Sequence, residues 1–140
     1  MAQLSSDTLS LIQSAAQRLR EVVGTLPDDP SLFIEETGIQ DRVTLRLILA
    51  IQDCISIAAE VVAQSGRPTG GGLAHLFEGL AEREYIPWEM VPGLQESVRL
   101  RNKILFDFES VNVNELYDAA SQIPEILVEF LTSISGSEDK

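Results

Sequence analysis

Basic side chains are concentrated in one short stretch, VRLRNKILFDFES, which runs from Val98 to Ser110. Arg99, Arg101 and Lys103 fall within five positions, although the whole chain has only 10 lysine and arginine residues. A guanidinium group presents a rigid fork of N–H donors, and this fork matches the oxygens of a phosphate. The cluster is therefore a candidate phosphate-binding site on a helix.

Ion pairing within the protein is the alternative explanation for this cluster. Asp53, Glu96 and Asp107 are candidate partners, and Arg42 and Arg46 add two more cations on a preceding helix. Pairs of this kind are common on helix surfaces and stabilise them only slightly. The spacing by itself favours ion pairs over a ligand site.

Other residue types that could do chemistry are better explained by structure. His75 is the only histidine, and an imidazole without an obvious carboxylate or cysteine partner is usually a surface residue. The run GRPTGGG has neither the phosphate-loop pattern nor a preceding strand, so it is predicted to be a flexible connector. Cys54 is the only cysteine, and its apolar setting predicts a buried side chain. We expect no metal and no cofactor.

Composition limits the class of protein and of partner. The chain has 140 residues, a size typical of one domain, and a net charge of −12. That charge opposes general attraction to phosphate backbones, so DNA binding is not expected and any RNA contact must be local. The N-terminus lacks the pattern of a signal peptide, and Gln52 and Asp53 interrupt the longest apolar region. We therefore expect a cytoplasmic protein with no membrane contact.

Helical spacing accounts for nearly all apolar residues, and no alternation of period two persists. The first predicted helix is capped by Ser5 or Ser6 and ends at LPDDP. Its apolar stripe is Leu9, Ile12, Ala16, Leu19, Val23 and Leu26. Four further helices are predicted: one from Gly38 to about Gly66, a short one at LAHLFEGLAERE, one over Leu94–Phe108 and one over Glu115–Ile134. The apolar stripe of the long second helix is Ile39, Val43, Leu47, Ala50, Cys54, Ile57 and Val61. Helical spacing places Leu94, Val98, Arg101, Leu105 and Phe108 together on one side of the fourth helix. The fold class is all-α, an antiparallel bundle of four or five helices over residues 1–134, with an acidic tail at 135–140.

Three stretches of the chain resemble the HEPN-domain proteins of the HepT toxin family. They are RLILAIQDCISIAAEVV, the turn YIPWEM, and LRNKILFDFESVNVNELYDAASQIPEILVEF. The resemblance is clearest from about Thr44 to Ile134. It implies a HEPN bundle like that of nucleotidyltransferase substrate-binding subunits, a homodimer, and an antitoxin partner of the minimal-nucleotidyltransferase (MNT) type in a type VII toxin–antitoxin module.

The same resemblance supplies a catalytic signature. In the family, an arginine, commonly followed by asparagine, stands five residues before a histidine, and a tyrosine follows two residues later. Two copies of this signature face each other across a dimer cleft and cleave RNA without metal. The arginine holds the phosphate, the histidine moves the proton of the attacking ribose hydroxyl, and the partner attaches AMP to the tyrosine.

Carried over to this chain, the signature is half retained. Arg101 and Asn102 occupy the arginine and asparagine positions, whereas Phe106 stands at the histidine position and Phe108 at the tyrosine position. Phenylalanine has neither a titratable group nor a hydroxyl, so it can neither act as a base nor accept AMP. Ser56 is a further departure from the family pattern, because an acidic residue is expected at this position in many relatives. The resemblance therefore implies a HepT-like endoribonuclease whose activity is impaired or very weak.

Two other interpretations remain open at this stage. The chain could be a non-enzymatic subunit that binds substrate or nucleotide for a minimal nucleotidyltransferase, with RNA such as tRNA, or ATP, in the cleft. In this interpretation, as in that of an endoribonuclease, Arg99, Arg101 and Lys103 would contact phosphate. Alternatively, the chain could be a helical adaptor whose arginines only form ion pairs.

Overall fold

The computed structural model describes residues 4–65 and 72–137, and this part of the chain contains helices and turns but no strand. The α-helices are α1 (Ser6–Thr25), α2 (Pro30–Glu35), α3 (Thr37–Gln64), α4 (Leu73–Glu82), α5 (Val91–Phe106) and α6 (Val113–Ser137). Two short 3₁₀ turns, Trp88–Met90 and Phe108–Ser110, flank α5. The predicted all-α class is confirmed. The connector predicted from the glycine-rich run lies almost entirely outside the described residues.

Helix α1 begins as predicted but buries a different face. The Ser5 side chain caps it by accepting a hydrogen bond from the Thr8 backbone N–H at 3.1 Å. The buried residues are Thr8, Ala15, Leu19 and Val22. Two members of the predicted stripe are exposed, Leu9 at 37% and Val23 at 63%. The stripe was misplaced because Thr8 is buried as a polar residue: its hydroxyl lies 3.2 Å from the Gln64 amide nitrogen and 3.0 Å from the Ser5 hydroxyl.

Helix α2 is an element that the sequence analysis missed. Pro30 was interpreted only as a residue that stops the first helix, yet it also occupies the first turn of α2. Proline fits that position because the N–H it lacks would have no partner within the helix. The Asp29 carboxylate caps α2 by accepting from the Ser31 N–H at 3.0 Å, and Phe33 inserts into the core with 0% exposure.

Helix α3 is the central rod of the bundle. Most of its predicted stripe is buried, namely Val43, Leu47, Ala50, Cys54, Ile57 and Val61. It packs against α1, α2, α4, α5 and α6. Aromatic rings complete the core, since Phe77 of α4 and Phe130 of α6 meet edge to face with their centroids 5.7 Å apart.

The single cysteine lies inside this core and gives a chemical test of it. Cys54 is 1% exposed, and burial, with a smaller contribution from the Asp53 carboxylate, raises the pKa of its thiol. We predict that a thiol reagent labels the native protein at least about 10³-fold more slowly than the protein in denaturant, because labelling requires global opening. Mass spectrometry of timed samples measures both rates. Labelling of the native protein at the denatured rate would contradict the core position.

The boundaries of the last two long helices differ from the prediction. Helix α5 begins earlier, with Pro92 in its first turn, and ends before Phe108. Helix α6 continues through Pro124 to Ser137, so residues 135–137, assigned to the acidic tail, are helical. Among the described helices, none is long and apolar enough to cross a membrane.

Candidate functional site

Helix α5 separates a buried face from a polar, exposed one. Its buried residues are Val91, Leu94, Ser97, Val98, Leu100 and Ile104. Arg99, Asn102 and Phe106 follow each other at steps of three and four, so they share one stripe on the side of the helix. Arg99 is exposed, Asn102 is half-buried, and Phe106 is 81% exposed. We call these three residues the α5 stripe.

The chain leaves the helix immediately after Phe106. Asp107 has φ −151° and ψ 49°, and its N–H donates to the Lys103 carbonyl oxygen at 2.8 Å. The Ser110 hydroxyl donates to the Asp107 carboxylate at 2.7 Å and holds the following 3₁₀ turn. Phe108 lies in this turn and is 52% exposed. The two phenylalanines of the signature are therefore both directed to solvent.

This helix end corrects the predicted inner face of α5. Leu105 and Phe108 were placed there together with Leu94 and Val98, but Leu105 is 47% exposed. Ile104 takes the inward position instead. Phe108 leaves the face because the helical register stops at Asp107.

Two cations of the cluster form ion pairs, as the alternative explanation predicted. Arg99 pairs with Glu96 on the preceding turn of α5. The Lys103 ammonium lies 3.2 Å from the Glu115 carboxylate of α6. All four side chains are at least 36% exposed, and pairs this accessible contribute about 0–1 kcal/mol. Both cations therefore remain available to an incoming anion at low cost.

The other predicted acidic partners are engaged elsewhere. The Asp53 carboxylate lies 2.8 Å from Arg18 of α1. Its pKa is raised because desolvation outweighs the attraction of the Arg18 guanidinium. Arg46 lies 3.7 Å from Glu21 and donates to the Thr25 hydroxyl at 2.6 Å. The long helix α3 thus directs these charges toward α1, and the expected pairing of Asp53 with the cluster was wrong.

Arg101 has a different environment from the other cations of the cluster. Its Nη1 donates to the Asn102 side-chain oxygen at 2.7 Å. Its Nε is buried and has no hydrogen-bond partner among the described residues. No carboxylate in the described part of the chain forms a salt bridge with it. One donor of the Arg101 guanidinium is thus engaged by the neighbouring Asn102, and its Nε is buried without a partner.

The single histidine has a partner that the sequence analysis overlooked. His75 Nδ1 lies 3.1 Å from the Glu78 carboxylate on the next turn of α4. The Gln95 amide of α5 donates to the other oxygen of Glu78 at 3.0 Å. These hydrogen bonds, first from His75 and then from Gln95, lower the pKa of Glu78. The histidine is exposed, as predicted, and its chain of contacts joins α4 to the first half of α5.

Among the described residues, the histidine, cysteine and carboxylate side chains form no group of three or more that could hold a metal ion. Ser56 is half-buried on α3.

A cavity of about 250 Å³ lies between α5 and α6. Its lining includes Glu96 and Glu115, the partners of Arg99 and Lys103. Of these two pairs, only Lys103–Glu115 depends on the docking of α5 against α6.

Comparison of this fold with solved structures defines the class of protein: the helical bundle has the fold of the HEPN toxins. It matches the crystal structure of a mutant MntA–HepT toxin–antitoxin with a TM-score of 0.83 and 22% identity, covering 92% of this chain and 98% of that one. It also matches the tri-AMPylated HEPN toxin of Shewanella oneidensis, solved in complex with MNT antitoxin, with a TM-score of 0.76 and 24% identity, covering 93% and 95%.

The family follows from the sequence itself. The ribonuclease HepT-like family model matches residues 12–134, and the chain belongs to that family. The mRNA nuclease HepT of Shewanella oneidensis strain MR-1 is 24% identical over 128 residues, which cover 91% of this chain and 93% of the relative. The resemblance drawn from the sequence is confirmed, both for the HEPN fold and for the HepT family.

Proposed function

We propose that this chain is the HepT-like component of a toxin–antitoxin module, that it pairs with an MNT-type nucleotidyltransferase, and that its ribonuclease activity is strongly impaired. Phe106 is the residue on which the last of these proposals, the impaired ribonuclease activity, rests. It stands where the resemblance places the catalytic histidine, and it is 81% exposed with no proton-transfer group. Arg101 stands at the position where the resemblance places the phosphate-holding arginine.

Cleavage without metal requires a group that takes the proton from the attacking ribose hydroxyl. The hydroxyl oxygen then attacks the adjacent phosphorus, and the bond from phosphorus to the departing oxygen breaks. Arg101 can stabilise the charge that develops on the phosphate, but it remains protonated and cannot act as the base. A chain with Arg101 and without the histidine should therefore bind the phosphate and leave it intact.

The partner is proposed from the relatives. The Shewanella oneidensis toxin is AMPylated and was solved with its MNT antitoxin, and another matched structure is described as the toxin–antitoxin with AMP-PNP. Because the match covers most of both chains, we expect the same kind of partner here. A cytoplasmic homodimer, with the two α5 helices facing each other, completes the proposal.

The native chain should not receive AMP, because its acceptor position is Phe108. Its two tyrosines are poor substitutes: Tyr85 is 6% exposed, and the Tyr117 hydroxyl is held 2.9 Å from the Pro27 carbonyl oxygen. We predict that, when this chain is expressed with a cognate MNT-type enzyme and ATP, only the Phe108→Tyr variant gains the mass of AMP. Intact-mass spectrometry of the native and variant chains decides this.

The outcomes separate the parts of the proposal. Labelling of the native chain at the rate of the variant would contradict the assignment of Phe108. Failure of the two proteins to co-purify at all would contradict the partner. The matched control is Phe106→Tyr, which adds the same hydroxyl two residues away and should not be labelled.

A non-enzymatic substrate- or nucleotide-binding subunit is the second candidate. It is favoured because the chain keeps Arg101 and Asn102 but has phenylalanine at the histidine and tyrosine positions, Phe106 and Phe108. Titration of ATP into the free chain and into the complex with the enzyme tests it. A total lack of nucleotide dependence in both experiments would remove this candidate.

A further inference from the structure

The only tryptophan of the chain lies on the surface, in the 3₁₀ turn just before α5. Trp88 is 54% exposed, although an indole ring offers one of the largest apolar surfaces of any side chain. The ring borders a concave surface of about 460 Å³, which lies between the end of α4, the turn before α5 and Ser133 of α6. We call this surface the Trp88 pocket. Tryptophan is enriched among the residues that contribute most to binding between proteins, so the pocket is a candidate interaction surface.

The charged groups at the Trp88 pocket are carboxylates. Glu82 and Glu84 line it, and Glu89 directly follows the tryptophan in the chain. All three glutamates are exposed, and the salt bridges formed within the described part of the chain involve none of them. The neighbouring Arg83 is directed toward α3, where its Nε donates to the Ser65 hydroxyl at 2.8 Å. The pocket therefore combines an open aromatic face with carboxylates that an incoming cation can reach.

The backbone of Glu84 shows that one of these carboxylates is placed at a conformational cost. Glu84 has a φ of 65°, in the left-handed region that favours glycine. It lies just after α4, and the following Tyr85 N–H donates back to the Leu80 carbonyl oxygen at 3.0 Å. Glycine would adopt this helix-ending conformation without steric cost. A glutamate at this position gives the pocket a negative charge that the turn itself does not require.

We propose that the Trp88 pocket binds an arginine side chain from a basic, extended segment of a protein partner. The guanidinium would lie on the face of the indole, where the ring's negative face attracts a cation. The carboxylates of Glu82 and Glu84 would accept its N–H groups. Arginine fits this pocket better than lysine, because its planar fork can stack on a ring and pair with a carboxylate together. The chain's net charge of −12 adds a long-range attraction for a basic partner.

The surroundings of the pocket argue against other occupants. Three carboxylates would repel the phosphates of a nucleic acid. A small free amine would be only partly enclosed, whereas a segment with several cations can reach glutamates on separate parts of the turn. The pocket also lies at the opposite end of α5 from Phe106, a rise of about 22 Å along the helix. The interaction is therefore separate from the nuclease signature and goes beyond the proposed function.

The intrinsic fluorescence of the full chain provides a direct test, because Trp88 is the single tryptophan. A short synthetic peptide with arginine at every third position should change this fluorescence saturably. The same peptide with glutamine in place of arginine should leave it unchanged, and the lysine version should bind more weakly. Anisotropy of a fluorescein-labelled arginine peptide then gives the affinity of variants that lack the indole.

Two substitutions remove the two parts of the pocket. Trp88→Leu keeps an apolar side chain but removes the ring, and it should weaken binding of the arginine peptide by about 5-fold or more. Glu84→Gln removes one carboxylate and should weaken binding at low salt more than at high salt, since salt screens exposed charges. Glu109→Gln makes the same charge change in the other 3₁₀ turn. It is the matched control and should leave the affinity unchanged.

Glu84→Gly separates a role in binding from a role in folding. Glycine relieves the positive φ, so this variant should unfold at a higher temperature than the native chain. It should nevertheless bind the arginine peptide as weakly as Glu84→Gln does. A gain in stability together with a loss of affinity is not expected of a residue whose role is only structural.

Several results would overturn the proposal. They include no binding of the arginine peptide, and equal binding by the native chain and Trp88→Leu. Equal weakening by Glu84→Gln and Glu109→Gln would show general attraction between opposite charges instead of a site. If Trp88→Leu abolished association between copies in sedimentation without changing peptide affinity, the pocket would be an interface between copies. All of these results leave the assignments of Arg101 and Phe106 unaffected, since the pocket is at the other end of α5.

Discussion

Replacement of Phe106 by histidine should raise the metal-free cleavage of RNA by about 10²- to 10⁴-fold, the usual contribution of a positioned general base. Position 106 is open to solvent, so the imidazole can be accommodated without repacking. It would lie one turn beyond Asn102, whose side-chain oxygen already accepts from Arg101 at 2.7 Å. The phosphate-binding group and the restored base would then belong to one short segment of α5.

The dependence on pH and on Arg101 identifies the source of the activity. A histidine base acts in its neutral form, so the rate of the Phe106→His variant should fall as the pH drops below about 6.5. Phe106→Gln, which is polar but cannot titrate, is the matched control and should remain as slow as the native chain. Adding Arg101→Ala to Phe106→His should remove most of the gain. Equal activity in the histidine and glutamine variants would show that position 106 is not the base position.

Replacement of Phe130 by alanine should lower the free energy of unfolding by about 3–5 kcal/mol. The ring is 0% exposed and contacts Phe77 edge to face, so its removal leaves a cavity between α4 and α6 and breaks an aromatic pair. That loss is a large part of the 5–15 kcal/mol typical of a domain. Chemical denaturation followed by circular dichroism measures it.

Val128→Ala on the same helix is the control for this core prediction. Val128 is 49% exposed, and its truncation should change the free energy of unfolding by no more than about 0.5 kcal/mol. If Phe130→Ala also changed it by less than 1 kcal/mol, the Phe130 ring would not be part of the packed core in solution as described. The contrast between the two variants therefore tests the burial of Phe130 rather than helix propensity.

The parts of the fold that the sequence predicted correctly are those built from apolar periodicity alone. Helix α3 is buried along one continuous stripe, and its pattern gave both its extent and its inner face. Helix α1 was rotated by one position because Thr8, a polar residue, is buried with its hydroxyl bonded to Gln64 of a distant helix. No local pattern encodes a partner 56 residues away. Helix α2 was missed because Pro30 signals a stop as readily as a start.

The candidate site also has features that the sequence predicts and features that only the tertiary fold determines. Family resemblance assigned Arg101, Asn102 and the substituted positions Phe106 and Phe108, and these assignments stay predictions. The Arg99–Glu96 pair follows from spacing on one helix, whereas the Lys103–Glu115 contact requires α6 to dock against α5. The buried, unpaired Nε of Arg101 could not be predicted, because it depends on which acids the fold commits to other cations.

The most direct test of the central claim compares the native chain with a relative that is a nuclease. Purified native protein and the mRNA nuclease HepT of Shewanella oneidensis would be incubated with the same RNA in the presence of a metal chelator, and initial cleavage rates measured. We predict that the native chain is slower by about 10²-fold or more, because it lacks the proton-transfer group. Comparable rates in the two proteins would contradict the assignment of Phe106 as the disabled catalytic position.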